Sequence, residues 1–369
     1  MTPDNNRTSL QSFLFRFVSV YLLLYILPVV WLAALLGVIE PDELQLSQQK
    51  LLIIRLGLSL AGATIWHFFS RQGSPHSSQV YLLKLGIRSL LFINMMVYGL
   101  AKVAMIQFSG PTLERLIMPV GELSPMGLLW TFMGYSGVYQ IFAGLMEVAG
   151  GFFLLFRKTT TLGALLIAGV MSNVALMNFT FDVPVKNLAT HLFVFSLILA
   201  AFDYKRILNV FVFNKETEAR VFEPPIQSLW FLNLTKWVKR TMVTAVILGF
   251  VISTVLPFTP FLNPPKPELF GIYKVTTQEP SFRENAWQYL VIDYNNLAYI
   301  RYDHNSKPYS ISINQEDLEI TLKPRGTGSE RIFNYELDGG NLNLIEIYEA
   351  DTLHYGLTRV DEQIFRLTQ

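Results

Sequence analysis

Residues 98–108 read YGLAKVAMIQF, and residues 137–191 read GVYQIFAGLMEVAGGFFLLFRKTTTLGALLIAGVMSNVALMNFTFDVPVKNLATH. Both stretches are apolar enough to lie in a bilayer, yet they carry Lys102, Glu147, Lys186 and His191 among several amides. An ionisable side chain inside a membrane is costly, so each such residue is a functional-site candidate by default. The same stretches fix the fold class, because runs of this length and hydrophobicity are the mark of membrane-crossing helices.

The rest of the composition agrees. Of 369 residues 51% are apolar and 15% charged, and the charges crowd toward the C-terminal end, which predicts a membrane part followed by a water-exposed part. A formal net charge of +1 gives no global field for nucleic acid, and nucleic-acid binding is set aside. There is no cysteine, which removes thiolate nucleophiles, disulfides and cysteine-ligated zinc or iron–sulfur centres together. The polar start MTPDNNRTSLQS leads into an apolar run from Phe13 that is too long for a signal-peptide core and lacks a small-residue cleavage site. An uncleaved first span is expected.

A spanning helix needs about 20 mainly apolar residues, and about seven segments qualify: 13–37, 49–69, 80–105, 138–156, 160–179, 185–202 and 238–257. Between the third and fourth, Ser124 as N-cap and Pro125 at the first helical position predict a short helix, interrupted near Gly134, Ser136 and Gly137. With the spans alternating, Arg7, Arg71, Lys84, Arg157, Lys158, Lys205, Arg206, Lys215, Arg220, Lys236, Lys239 and Arg240 fall on one side. The opposite short loops hold Lys50, Arg115 and Lys186 beside a larger number of carboxylates. This bias predicts a bacterial inner-membrane protein with a cytoplasmic N-terminus and an extracytoplasmic C-terminal domain.

After the proline-rich FTPFLNPPKPEL the pattern changes to period two. YSISIN, LEITLK, IFNYEL and LHYGLT alternate apolar with polar, and Asp338-Gly339-Gly340 marks a tight hairpin. With LFGIYKVT, WQYLVIDY, LAYIRYD, NLNLIEIY and IFRLT, about nine short strands predict a small antiparallel all-β domain, a barrel in preference to a sandwich. The Gly271-Ile272-Tyr273 opening is similar to the first strand of lipocalin-like barrels. The expected organisation is a tail and two spans (1–78), a four-helix membrane core (79–207), a cytoplasmic loop (208–237), a last span (238–257), a stiff linker (258–267) and the β domain (268–369).

Within the core, Gln140, Gly144, Glu147 and Gly151 recur at steps of four, three and four, so they share one helix face, and the glycines admit another helix closely. Glu147 lies about 15 Å from the Arg157 end at 1.5 Å per residue. A carboxyl there suits a proton-handling role, a buried ion pair or a simple cement between helices. Lys102 shares a face with Asn94 and Tyr98, and either joins a site or snorkels to the interface. Arg55 leaves the same two choices open. His191 has Asn187 one turn before it, and Asn173 and Asn178 lie in the outer half of the fifth span. The expectation is one polar, ligand-binding pocket opening outward, formed by Glu147, His191, Lys102, Asn173, Asn178, Lys186, Gln140 and Tyr98.

Several chemistries are excluded. Two facing intramembrane histidines for haem are missing, since His67 and His191 sit at opposite depths. No GxGxxG, Walker loop or HExxH occurs, so no nucleotide or metal motif is read. No triad context surrounds His191, and no transporter-like inverted repeat is evident.

At YGLAKVAMIQF, GELSPMGLLWTFMGYS, GLMEVAGGFFLLFRKTTTLGALL and NFTFDVPVKNLATHLF the chain resembles the DoxX-like family of bacterial membrane proteins. The resemblance covers roughly residues 95–205 and is closest to larger members with extra spans before the core and a β domain after it. It implies a four-helix membrane bundle, a quinone-linked role beside an oxidoreductase partner, and functional positions at Lys102, Glu147, Asn173, Asn178, Asp182, Lys186 and His191. The thiol chemistry proposed for some relatives cannot carry over to a chain without cysteine. Two functions follow as expectations. One is a membrane component of an oxidoreductase system that binds a quinone or other lipophilic small molecule, its β domain a docking or lid module. The other is a non-catalytic assembly or envelope-maintenance protein whose β domain binds a partner or lipid. Whether the chain is an enzyme is left open.

Overall fold

The computed structural model describes residues 9–27, 48–70, 76–218, 226, 228–256, 259, 265–279, 286–303, 305–348, 351–361 and 364–365. Residues 28–37 of the expected first span, much of the 219–227 loop segment, most of the proline-rich linker, His304 and the end of IFRLT lie outside them. The described residues form two compact units, one within Met1–Val103 and Phe142–Val251, the other within Ala104–Ile141 and Ile252–Gln369.

The first unit is helical. Its elements are α1 (Ser9–Ile26), α2 (Gln48–Phe69), α3 (Ser77–Val103), then α6 (Gly137–Leu154), α7 (Thr160–Thr180), α8 (Lys186–Ala201), α9 (Tyr204–Phe211) and α10 (Leu229–Val255). Among the described residues α1, α2, α3, α6 and α7 are each long and apolar enough to cross a membrane. The chain is therefore a multi-pass membrane protein. The pair α8 and α9 passes the same test only jointly and bends by 81° at its break. The 27-residue α10 begins well before the expected position 238, because LWFLNLTKWVKR continues the helix in the N-terminal direction.

The core of this unit joins Phe15, Tyr21 and Leu22 of α1 to Leu83, Ile87, Leu91, Phe92, Met95 and Met96 of α3, and to residues of α7 and α8. Lipid tails are as apolar as leucine, so close backbone approach through small residues replaces the hydrophobic effect between such helices. Gly99 and Gly144 show it. A Cβ on Gly144 would sit 2.6 Å from the Gly99 carbonyl oxygen and 2.8 Å from Lys102 Cβ. One on Gly99 would sit 2.9 Å from the Gly144 carbonyl oxygen. The helices α3 and α6 therefore meet backbone to backbone at this level.

The second unit contains a closed antiparallel barrel, β1 (Gly271–Glu279), β2 (Tyr289–Asp293), β3 (Leu297–Arg301), β4 (Ser306–Asn314), β5 (Glu319–Pro324), β6 (Arg331–Asp338), β7 (Asn341–Tyr348) and β8 (Asp351–Val360), each strand paired with the next and β8 with β1. Among the described residues eight strands form where about nine are expected. Pairing of β8 along β1 uses the last free edge, and Ile364 and Phe365 lie in a short turn instead. The Asp338-Gly339-Gly340 hairpin forms, with φ of 56° and 97° at the two glycines, values that L side chains rarely adopt.

Alternation sends Tyr273, Leu290, Ile292, Ile300, Ile320, Leu322, Phe333, Leu342, Leu344 and Leu357 inward, and they fill the barrel with Trp287 and Tyr355. Trp287 stacks on Tyr355 at 4.5 Å between centroids, and Arg331 covers Trp287 at 4.9 Å while pairing with the buried Glu346.

The connection between α3 and α6 belongs to this second unit, whereas the sequence reading keeps 79–207 together. It holds α4 (Leu113–Ile117), a 3-10 turn (Val120–Glu122) and α5 (Pro125–Tyr135). Ser124 caps α5 by accepting from Gly127 N–H at 3.0 Å, as Ser124-Pro125 predicts, and the helix stops at Ser136. Leu113 packs with Phe270, Ile272 and Val291 on the outer wall of the barrel. Arg301 donates to both carboxylate oxygens of Glu122 at 2.8 and 3.0 Å, so an ion pair clasps the connection to β3. Burial at this seam lifts the Glu114 carboxyl above its ordinary range against the pull of Arg115 and Arg301, and burial lifts Asp293 as well.

Candidate functional site

Lys102 and Glu147 meet. The ammonium of Lys102 donates to both carboxylate oxygens of Glu147 at 2.9 Å, and their side chains are only 6% and 2% exposed. Helix geometry explains the encounter. Lys102 is three residues after Gly99 on α3, Glu147 is three after Gly144 on α6, and the two glycines bring the helix axes close enough for one lysine length. Snorkelling, the alternative for Lys102, is not what its burial shows.

His191 gathers a different set. Its Nδ1 lies 2.5 Å from the Asn187 carbonyl oxygen, so Nδ1 carries the proton. Nε2 is then the acceptor of the neutral ring, and the Tyr21 hydroxyl donates to it at 2.5 Å. The ring stacks on Tyr25 at 4.6 Å with 21° between planes, and Phe195 closes another side. Arg55 stands over the opposite neighbour, 5.3 Å from the Tyr25 centroid, so it joins this group. Three helices, α1, α2 and α8, thus contribute to this group. Tyr98 belongs with the ion pair, its ring centroid 6.0 Å from the Lys102 ammonium.

The remaining expected residues are distributed otherwise. Asn178 is buried on α7, and its Nδ2 has no hydrogen-bond partner among the described residues. Asn173 is exposed on α7 and donates to Met177 Sδ of its own helix at 3.7 Å. Lys186 pairs with Asp182 one turn away at the surface. Gln140 is buried, and with its amide suitably oriented it donates to the Phe108 carbonyl at 3.0 Å and accepts from Phe108 N–H at 3.2 Å. The single eight-residue pocket of the sequence reading therefore divides. Lys102, Glu147 and Tyr98 gather in one cluster and His191 in another with Tyr21, Tyr25 and Arg55, whereas Asn173, Lys186 and Gln140 are occupied by local partners. The physical reason is reach: each of those three finds a donor or acceptor within one turn or on the adjoining loop.

Sequence reasoning passes over Tyr21 and Tyr25. Their signal is present, two tyrosines at i and i+4 on an apolar helix whose hydroxyls need partners once buried. It also passes over Arg16, which is 3% exposed on α1 and bonds His67 Nδ1 of α2, while Ser9 Oγ lies 3.3 Å from His67 Nε2. This second polar contact is at the opposite end of α1 from Tyr25.

Comparison with known proteins adds one relation. The Bacillus subtilis (strain 168) uncharacterized protein YwoB is 37% identical over 124 residues, which cover 79% of that protein and 34% of this chain. The chain belongs to the YwoB family. That membership concerns about a third of the residues here, and the name YwoB carries no activity with it. No protein-family profile matches the chain, and no solved structure matches it.

Proposed function

We propose that this chain is a DoxX-like inner-membrane protein whose helical unit receives the polar head of a lipophilic small molecule, a quinone, as the membrane component of an oxidoreductase system. The observation that carries the reading is the buried Lys102–Glu147 pair inside helices long and apolar enough to cross a membrane. Replacing a buried ion pair by apolar residues of similar size is often neutral or stabilising, so such a pair is weakly justified by stability and invites a functional reason. The residues fit a quinone head. The buried Asn178 Nδ2, without a partner among the described residues, is suited to a carbonyl oxygen, while Tyr98 beside the ion pair and Tyr21 and Tyr25 beside His191 supply hydroxyls and an imidazole that can hold protons.

A quinone held there would supply two-electron chemistry, its electrons coming from a partner oxidoreductase and its two protons from groups of this chain. Glu147 and His191 would exchange these protons on the protein side: Lys102 orients the Glu147 carboxyl, and the Asn187 carbonyl keeps His191 in one tautomer. In the same reading the chain crosses the membrane seven times, with the N-terminus cytoplasmic and the barrel extracytoplasmic. Lys158, Lys205, Arg206, Lys236 and Arg240 then share the cytoplasmic side. The barrel is lipocalin-like in its meander and serves docking, since its interior is filled by side chains.

The test is extraction of lipids from the protein purified in mild detergent, with quinone measured by mass spectrometry. Stoichiometric quinone is expected from the unaltered chain and far less from Glu147→Gln. Its absence from the unaltered chain overturns the proposal. A second reading, a non-catalytic assembly or envelope-maintenance protein, is favoured by how fully matched Glu147 is, since Lys102 reaches both of its oxygens. A stable protein partner without any quinone in the same preparation would select it.

A further inference from the structure

The α9 helix, Tyr204–Phe211, is the strongest unassigned surface on the helical unit. It follows α8 after a break and lies at 81° to it, so if α8 runs along the membrane normal, α9 runs nearly in the plane of the membrane. At 100° per residue, Tyr204, Ile207, Leu208 and Phe211 fall on one face, while Arg206 and Asn209 fall opposite and Lys205 at the border. Ile207 packs against the bundle core and fixes the helix there. The rest of the apolar face is uncovered: Phe211 is 74% exposed, Tyr204 54% and Leu208 39%, and Val212 and Phe213 beyond the helix are exposed too. Lys205 and Arg206 are both exposed.

An exposed apolar arc beside exposed cations, on a helix perpendicular to its neighbour, is the arrangement of an interfacial helix that sinks aromatic side chains into acyl chains and holds its cations at headgroup level. Charge complementarity selects the headgroup. We propose that α9 is a docking surface for anionic phospholipid, with Tyr204, Leu208 and Phe211 among the acyl chains and Lys205 and Arg206 on the phosphate. The proposal is independent of any quinone, because none of these residues takes part in the array around Glu147.

A cation near an anionic lipid surface contributes on the order of fivefold in affinity, so the two together give on the order of 20-fold. The experiment uses the full chain in detergent, titrated with dioleoylphosphatidylglycerol or dioleoylphosphatidylcholine, with bound lipid counted by native mass spectrometry. The unaltered chain should retain phosphatidylglycerol roughly 20-fold more tightly than phosphatidylcholine, and soluble glycerophosphate should not compete. Lys205→Gln with Arg206→Gln should abolish that preference. Leu208→Ser with Phe211→Ser should weaken both lipids. Circular dichroism confirms that each variant keeps its helix content, and these exposed positions leave the fold intact.

Equal retention of the two lipids by the unaltered chain overturns the proposal. So does a preference that survives in the double glutamine variant, and so does a protein that co-purifies through these residues in place of lipid. Full competition by glycerophosphate would show an isolated phosphate site and would overturn it as well.

Discussion

The helical unit and the barrel each set a cation against a buried carboxylate, and they do so in opposite ways. In the barrel, Arg331 pairs with Glu346, bonds the Tyr355 hydroxyl at 3.0 Å and lies over Trp287 and Phe333. The pair is one part of a packed interior. In the helical unit, Lys102 and Glu147 meet where two glycines have removed side chains, and the next group along is a phenol. The outer surfaces differ in the same sense. The helices expose Phe69, Val97, Val138, Leu176 and Phe179, whereas most large apolar side chains of the barrel point inward. The barrel is built for water and held by apolar burial; the helices are built for lipid and held by small-residue contact. A charged pair is therefore ordinary packing in the first and a costly exception in the second.

The largest effects should come from the two interiors. Trp287→Ala empties the barrel between Tyr355 and Phe333 and should cost roughly 3–5 kcal/mol, read as loss of near-ultraviolet circular dichroism in denaturant. Lys102→Met alone leaves a buried carboxylate unpaired and should cost roughly 3–5 kcal/mol of helical-unit stability in a detergent-denaturation series. Lys102→Met with Glu147→Met should recover most of that loss. Failure of the double variant to recover would make the pair structural and bring the two units closer in kind.

A smaller contrast concerns glycine. Gly144→Ala must push α3 from α6 and should cost about 1–3 kcal/mol, whereas Gly326→Ala, with no atom within 4 Å of the added carbon, should stay within about 0.5 kcal/mol. Equal costs would remove the argument from close helix approach.

The smallest effect lies at the seam of α4 and the barrel. A carboxyl whose pKa is raised in the folded state binds its proton more tightly there than when unfolded. Folded stability then rises as pH falls through the carboxylate range and is lost again as pH climbs. Glu114→Gln should accordingly raise the melting temperature slightly at neutral pH, with the gain shrinking toward acid. A loss at neutral pH would show that Arg115 and Arg301 outweigh burial at this carboxyl.

Much of the fold can be read before any coordinates, for definite reasons. Ser124-Pro125 states a helix start in local chemistry, and Asp338-Gly339-Gly340 states a hairpin, so both form where expected. Period-two alternation identifies the β domain, but it cannot say that β8 returns to β1, which is why IFRLT reads as a ninth strand. The site is legible in part. Glu147 and Lys102 stand out by their cost, and Gly144 marks the close face. That they contact each other depends on which helices are neighbours, which is not encoded locally. Tyr21 and Tyr25 are hidden because a tyrosine in an apolar span looks like core or interface until His191 is found beside it. Asn173 and Lys186 look equally polar in sequence, yet they turn to Met177 and Asp182.

The central claim is that the charges at positions 102 and 147 are kept for a ligand and not for the fold. The most direct measurement is the quinone content of the doubly substituted protein, Lys102→Met with Glu147→Met, purified beside the unaltered chain. The account requires a folded protein of near-normal melting temperature that carries no quinone while the unaltered chain carries one equivalent. Retention of quinone at the unaltered level by the folded double variant would contradict it.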